Sequence, residues 1–327
     1  MQLKNIINTS TNLTLIIPFI MVLSTVFIVS KDLSNGVVSG KYFWFYLSIG
    51  LASIATLVSF IINRKKITFS IIDLFVLIFC VSGLAVTFYH NNTISNKFIL
   101  LLLVSVLYFY FRIFLVQYKW SIFILTIFFI FTGLVEAIWG LKQLYDFSPS
   151  QHSLFKTTGS FFNPGSYAGY LAMVIPLALY YVLNDYRILK NKFRCIYIPF
   201  YLRWSISLIS FFSILLVLPA TMSRASWLGA IIGCSIAGLL YLLKNKRLKA
   251  YVKRFRKKII FILLGVITLS IIGLIGIYHL KKDSADGRNL IWRTSLQVIK
   301  EYPFGVGLGN FPGVYGEKQA EYFMTDQ

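Results

Sequence analysis

Arg288, Trp292 and Arg293 stand at i, i+4 and i+5 in GRNLIWRTSLQVIKEYPFGVGLGNF, the stretch from Gly287 to Phe311. On a helix this spacing brings two guanidinium groups beside an indole, and guanidinium forks hold phosphate oxygens in pairs. Pro303 stops the helix, and Gly305, Gly307 and Gly309 give a backbone able to approach a ligand closely. The same residues also read as an amphipathic helix on a membrane surface, followed by an ordinary glycine turn. Arg224 adds a further guanidinium in TMSRASWLGAIIG, a hairpin short enough to keep it near a membrane interface, with Ser223 and Ser226 as extra donors. Snorkelling to lipid headgroups is the other reading of Arg224.

Two further polar groups lie at membrane depth, where they are costly. Glu136 is an acid well inside an apolar run, and Gln143 follows two helical turns later on the same face. They form either a polar stripe facing a cavity or an interhelical hydrogen bond and a partner for an arginine. In GSFFNPGSYAGYLA, Asn163, Pro164 and Gly165 predict a turn, with Ser166 capping the next helix and Ala168, Gly169 and Ala172 allowing close helix packing. A helix N-terminus there suits a phosphate, or is simply a well-made turn. His90, His152 and His279 match no metal or triad spacing, and Cys80, Cys195 and Cys234 show no CxxC pair.

Membrane spans carry these residues. The chain has 327 residues, 57% of them hydrophobic and only 13% charged, with repeated apolar runs long enough to cross a bilayer. The expectation is an all-α, polytopic helical membrane protein with about nine spans: Leu13 to Ser30, Tyr42 to Ile62, Phe69 to Tyr89, Phe98 to Val116, Trp120 to Leu141, Tyr167 to Leu183, Trp204 to Ala220, Trp227 to Leu243 and Ile259 to Tyr278. The +21 charge clusters between spans, so topology and anionic membrane lipid explain it and nucleic acid is excluded as a partner. With the N-terminus cytoplasmic, nineteen basic residues fall on the inner side and six on the outer loops up to Ser226, which the positive-inside rule prefers. Residues 1–279 then form a transmembrane bundle, and 280–327 begin an outer, periplasmic segment expected to continue past Gln327.

Three of these motifs, in this order and on one side of the membrane, resemble the O-antigen ligase and polymerase superfamily of bacterial polysaccharide assembly. GSFFNPGSYAGYLA is similar to its Asn-Pro turn entering a span, TMSRASWLG to its Ser-Arg hairpin, and GRNLIWRTSLQVIKEYPFGVGLGNF to its Arg-x-x-x-Trp helix and glycine turn. The resemblance implies a glycosyltransferase of the inner membrane that takes a glycan from an undecaprenyl-diphosphate donor. It implies lipid A core as acceptor for a ligase, another lipid-linked glycan for a polymerase, and a protein side chain for the related oligosaccharyltransferases. It implies no cofactor and no metal, since the carrier diphosphate is the leaving group. Arg224 and Arg288 are carried over as diphosphate ligands, Arg293 as their neighbour, and Asn163, Gln143 and Glu136 complete the substrate-binding set. The superfamily's base histidine has no match up to Gln327. A polysaccharide transporter is the rival class, but the charges gather at one face and no internal repeat is present.

Overall fold

In lipid every backbone N–H and C=O must be paired within its own segment, so apolar runs of this length fold as helices. A computed structural model describes residues 16–30, 36–63, 69–90, 95–117, 121–191, 198–244 and 282–325, and among them there is no strand. The helices are α1 (Ile16–Phe27), α2 (Gly36–Asn63), α3 (Ile71–Tyr89), α4 (Asn96–Gln117), α5 (Ser121–Leu144), α6 (Pro164–Asn191), α7 (Ile198–Val217), α8 (Arg224–Lys244), α9 (Lys282–Glu301) and α10 (Phe311–Thr325). Seven of them, α2 to α8, are long and apolar enough to cross a membrane, and α1 is a shorter apolar helix. The protein is therefore a polytopic helical membrane protein. The ninth expected span, Ile259 to Tyr278, and most of the basic run before it lie outside the described residues.

The chain divides into two units, residues 1–65 with 109–250 and residues 66–108 with 251–327. In the first unit α6 is the central element and packs on α5, α7 and α8. Tyr167, Leu171, Val174 and Ala178 of α6 are fully buried, as are Ile214 and Val217 of α7. The close approach depends on glycines of the neighbouring helices. A Cβ at Gly233 of α8 would fall 2.5 Å from Pro176 of α6, and one at Gly140 of α5 would collide with the Tyr167 hydroxyl. Gly169, expected to serve this purpose, has no atom within 4 Å of its would-be Cβ, whereas Ala168 beside it is fully buried in the core.

A buried ion pair fixes the other end of α6. Asp185 takes both forks of Arg203, Nε to Oδ2 and Nη2 to Oδ1 at 2.7 Å each, and the guanidinium lies against the rings of Tyr181 and Phe123. Both side chains are almost wholly buried, so the pair locks α6 to α7 where a lone charge would be very costly.

In the second unit, α3 starts in a capping box: the Ser70 hydroxyl accepts from Ile72 N–H, and Asp73 Oδ2 accepts from Ser70 N–H at 2.7 Å. Asp73 Oδ1 also accepts from the Tyr108 hydroxyl at 2.9 Å, which accounts for an acid in an apolar helix. The stretch 302–310 folds back on the ends of α3 and α4. Gly305, Gly307 and Gly309 have φ of 92°, 84° and 102°, a region open to glycine at little cost. Ser95 donates to the Leu308 carbonyl at 2.6 Å, His90 Nε2 donates to the Gly305 carbonyl at 3.1 Å, and a Cβ at Gly309 would lie 2.7 Å from Ser95 Cβ. The glycine turn thus brings its backbone close to the protein's own helix ends.

Candidate functional site

Glu136 and Gln143 lie on one face of α5, fully and almost fully buried. Gln143 Oε1 accepts from the N–H groups of Thr158 and Gly159 at 2.9 and 2.7 Å, and its Nε2 donates to the carbonyls of Pro149 and Gly159 at 3.1 and 3.0 Å. Glu136 Oε2 accepts from Ser160 N–H at 3.0 Å, and the Glu136 carbonyl accepts from the Tyr167 hydroxyl at 2.9 Å. Gly159 carries φ 55°, and any Cβ there would strike the Glu136 carboxylate and the Tyr167 ring. The polar stripe of α5 is therefore a clamp for the backbone of 158–160. Glu136 Oε1 is buried and accepts no hydrogen bond from the described residues.

The clamp seats the start of α6. Asn163 caps α6, its Oδ1 accepting from Gly165 N–H at 2.7 Å. This is the capping role expected of Ser166; Pro164 begins the helix, since its missing N–H costs nothing in the first turn. Ser160 holds Lys41 from α2, whose Nζ donates to Ser160 Oγ at 3.2 Å and to the Val26 carbonyl. The same ammonium lies 5.2 Å from the centre of the Phe161 ring and in the electrostatic field of Glu136. Lys41, Tyr42, Phe45, Phe161, Phe162 and Asn163 line a cavity of about 320 Å³. The ring of His152 covers Phe162 from the loop side, with centroids 4.8 Å apart.

Arg224 is the first residue of α8, half-buried, after a turn in which Met222 takes a left-handed conformation with φ 51°. The Ser223 and Ser226 hydroxyls bond each other at 2.8 Å, and Trp227 Nε1 donates to the Leu218 carbonyl at 2.9 Å. Thr157 Oγ1 reaches the Ala220 carbonyl at 3.4 Å, joining the clamped loop to the turn that precedes Arg224. Glu136, Gln143, Asn163 and Arg224 therefore belong to one connected end of the first unit.

Arg288 and Arg293 belong to the second unit, on α9. Thr294 and Val298 are buried while Arg288, Trp292 and Arg293 are exposed, Trp292 by 70%. Arg288 and Trp292 share a stripe one turn apart, whereas Arg293 is rotated from Arg288 by about 140° of helix. The indole thus stands closer in angle to Arg288 than Arg293 does. At the end of α9, Lys318 of α10 pairs with Glu301 and Glu321 at 2.8 Å each, and these carboxylates hold its ammonium above the ordinary lysine range. His279 lies outside the described residues.

Lys41 and Ser160 are the residues that sequence reasoning missed. Lys41 entered only as one of six outer-side charges. Its place just before the expected span Tyr42 to Ile62 gave no reason to single it out, and it is the start of α2 at Gly36 that takes Lys41 into the helix. No curated protein and no solved structure matches the chain. Residues 208–327, which contain Arg224, Arg288 and Arg293, match the family model described as O-antigen ligase. Over that segment the chain is similar to the O-antigen ligase family.

Proposed function

We propose that the protein transfers a glycan from an undecaprenyl-diphosphate carrier to lipid A core at the periplasmic face of the bacterial cytoplasmic membrane. The observation that carries this reading is the O-antigen ligase match over 208–327, a segment holding both arginine motifs. In the reaction the acceptor hydroxyl oxygen attacks the anomeric carbon and gives up its proton to solvent, the sugar to phosphate bond breaks, and the lipid diphosphate leaves with added negative charge. By the resemblance Arg224 in the first unit and Arg288 in the second are each proposed as diphosphate ligands, and a guanidinium charge is worth most as the bond breaks. Arg293 assists as a neighbour. Glu136 and Gln143 act on substrate indirectly, by holding the loop that ends in Asn163. The carrier diphosphate is itself the leaving group, so the reaction draws on no nucleotide and no metal.

The test supplies the purified protein with undecaprenyl-diphosphate glycan and lipid A core and separates products by gel and mass spectrometry. Glycan on the lipid A core is the expected product, and EDTA leaves its rate unchanged. Arg224→Ala and Arg288→Ala each lower kcat by about a hundredfold or more. The Lys variants recover part of it, since Lys keeps charge but loses the fork. Longer glycans remaining on the carrier would make the protein a polymerase, and absence of transfer to any acceptor would end the reading.

A further inference from the structure

The cavity beside Lys41 is built, charged and unused by the arginine chemistry. Its volume of about 320 Å³ lies at the small end of ligand sites, which typically pair apolar and aromatic walls with a few placed polar groups. Lys41 is one such group. Its ammonium has three donors, of which two go to Ser160 Oγ and the Val26 carbonyl, leaving one for the cavity it lines. Ser160 is itself held by Glu136, through Ser160 N–H, and its hydroxyl donates onward to the Val26 carbonyl. The lysine is thus set in place by a buried network that begins at the α5 clamp.

The lining decides between ligand classes. A diphosphate needs several cations or donors to repay desolvation, and here a single ammonium lies in the field of the Glu136 carboxylate. The walls are instead the rings of Tyr42, Phe45, Phe161 and Phe162 with the side chains of Val37 and Val38, and Asn163 joins the lining. Ring faces carry negative charge density and attract the polarised C–H face of a neutral ligand. A pyranose offers that face together with hydroxyls for an ammonium and an amide.

We propose that this cavity is a saccharide subsite, in which Lys41 and Asn163 hydrogen-bond sugar hydroxyls and Phe161 and Phe162 stack on the ring. It rests on the glycan-transfer reading and adds to it a place for one neutral sugar unit, from donor or acceptor glycan. The ligand is recognised as a sugar, separately from the diphosphate.

The test is saturation-transfer NMR on the full chain in lipid nanodiscs with a panel of free mono- and disaccharides, and with inorganic pyrophosphate as competitor. At least one saccharide is expected to bind, Lys41→Met to weaken it about tenfold, and pyrophosphate not to displace it. Phe162→Ala, on the cavity wall and 44% exposed, weakens binding without removing any bond of the clamp and so guards against misfolding of the lysine variant. In the transfer assay, a raised KM for the donor or for lipid A core in Phe162→Ala supports the subsite and identifies which glycan it holds. No saccharide binding, binding unchanged in both variants, or displacement by pyrophosphate overturns the subsite. Transfer without saccharide binding would sink the subsite and leave the function standing, whereas saccharide binding without transfer would do the reverse.

Discussion

Gln143 satisfies four backbone groups at once, and two of them are N–H donors of Thr158 and Gly159 buried against α5. A buried donor left without an acceptor costs about 1–3 kcal/mol. Gln143→Leu, similar in size but without polar atoms, is therefore expected to destabilise the first unit by about 2–4 kcal/mol. The loss reads as a lower midpoint in thermal unfolding of the protein in detergent. Gln143→Glu keeps the acceptor oxygen but turns a carboxylate oxygen onto the Pro149 and Gly159 carbonyls in a buried place, and is expected to cost at least as much. An unchanged midpoint in the Leu variant would show that 158–160 is held by something else. Glu136 has the same structural role through Oε2, but its second oxygen is unpartnered among the described residues, so the stripe is not wholly consumed by the clamp.

At the scale of elements, α6 is held at both ends by different physics. Its start is capped by Asn163 and seated by the clamped loop, and its far part is pinned by the Asp185 to Arg203 fork. Asp185→Ala removes the carboxylate that takes both forks of the buried guanidinium and is expected to cost about 3–5 kcal/mol. The double variant Asp185→Ala with Arg203→Met removes both charges and should recover most of that loss. If the double variant unfolds as early as the single one, the pair contributes geometry that no apolar packing replaces. On α9, the buried Thr294 and Val298 define the inner stripe, and the exposed Arg288 and Trp292 lie away from it. The helix thus keeps its basic and aromatic groups free of the packing that holds it to α10.

For the whole molecule the decisive question is which side of the membrane the Lys41 cavity and Arg224 occupy. Loops expected on the outer side meet within the first unit: Lys41 with Ser160, and Thr157 with Ala220. The N-in orientation would put them in the periplasm. With Cys80, Cys195 and Cys234 replaced by serine, Ser153→Cys should react with a membrane-impermeant maleimide in intact spheroplasts. Lys244→Cys, at the far end of α8, should react only after lysis. The reversed pattern would place the cavity in the cytoplasm and remove the basis for a periplasmic transferase.

The class of fold follows from the chain alone, because the length of an apolar run and the need to pair every backbone group in lipid make these runs helices. The two-turn spacing of Glu136 and Gln143 and the break at Pro303 were legible for the same reason: they are local and periodic. What these groups touch depends on how distant segments pack together. Lys41 and Ser160 are 119 residues apart, and Ser95 and Leu308 are 213 apart. Which helix ends become neighbours is set by packing of small against large side chains across α5, α6 and α8, and no periodicity within one helix records it. The turn of Gly305, Gly307 and Gly309, with the clamp of Gln143, carries the same lesson. The spacing announced a backbone able to come close to something, and the neighbouring helices and loop supplied the partner.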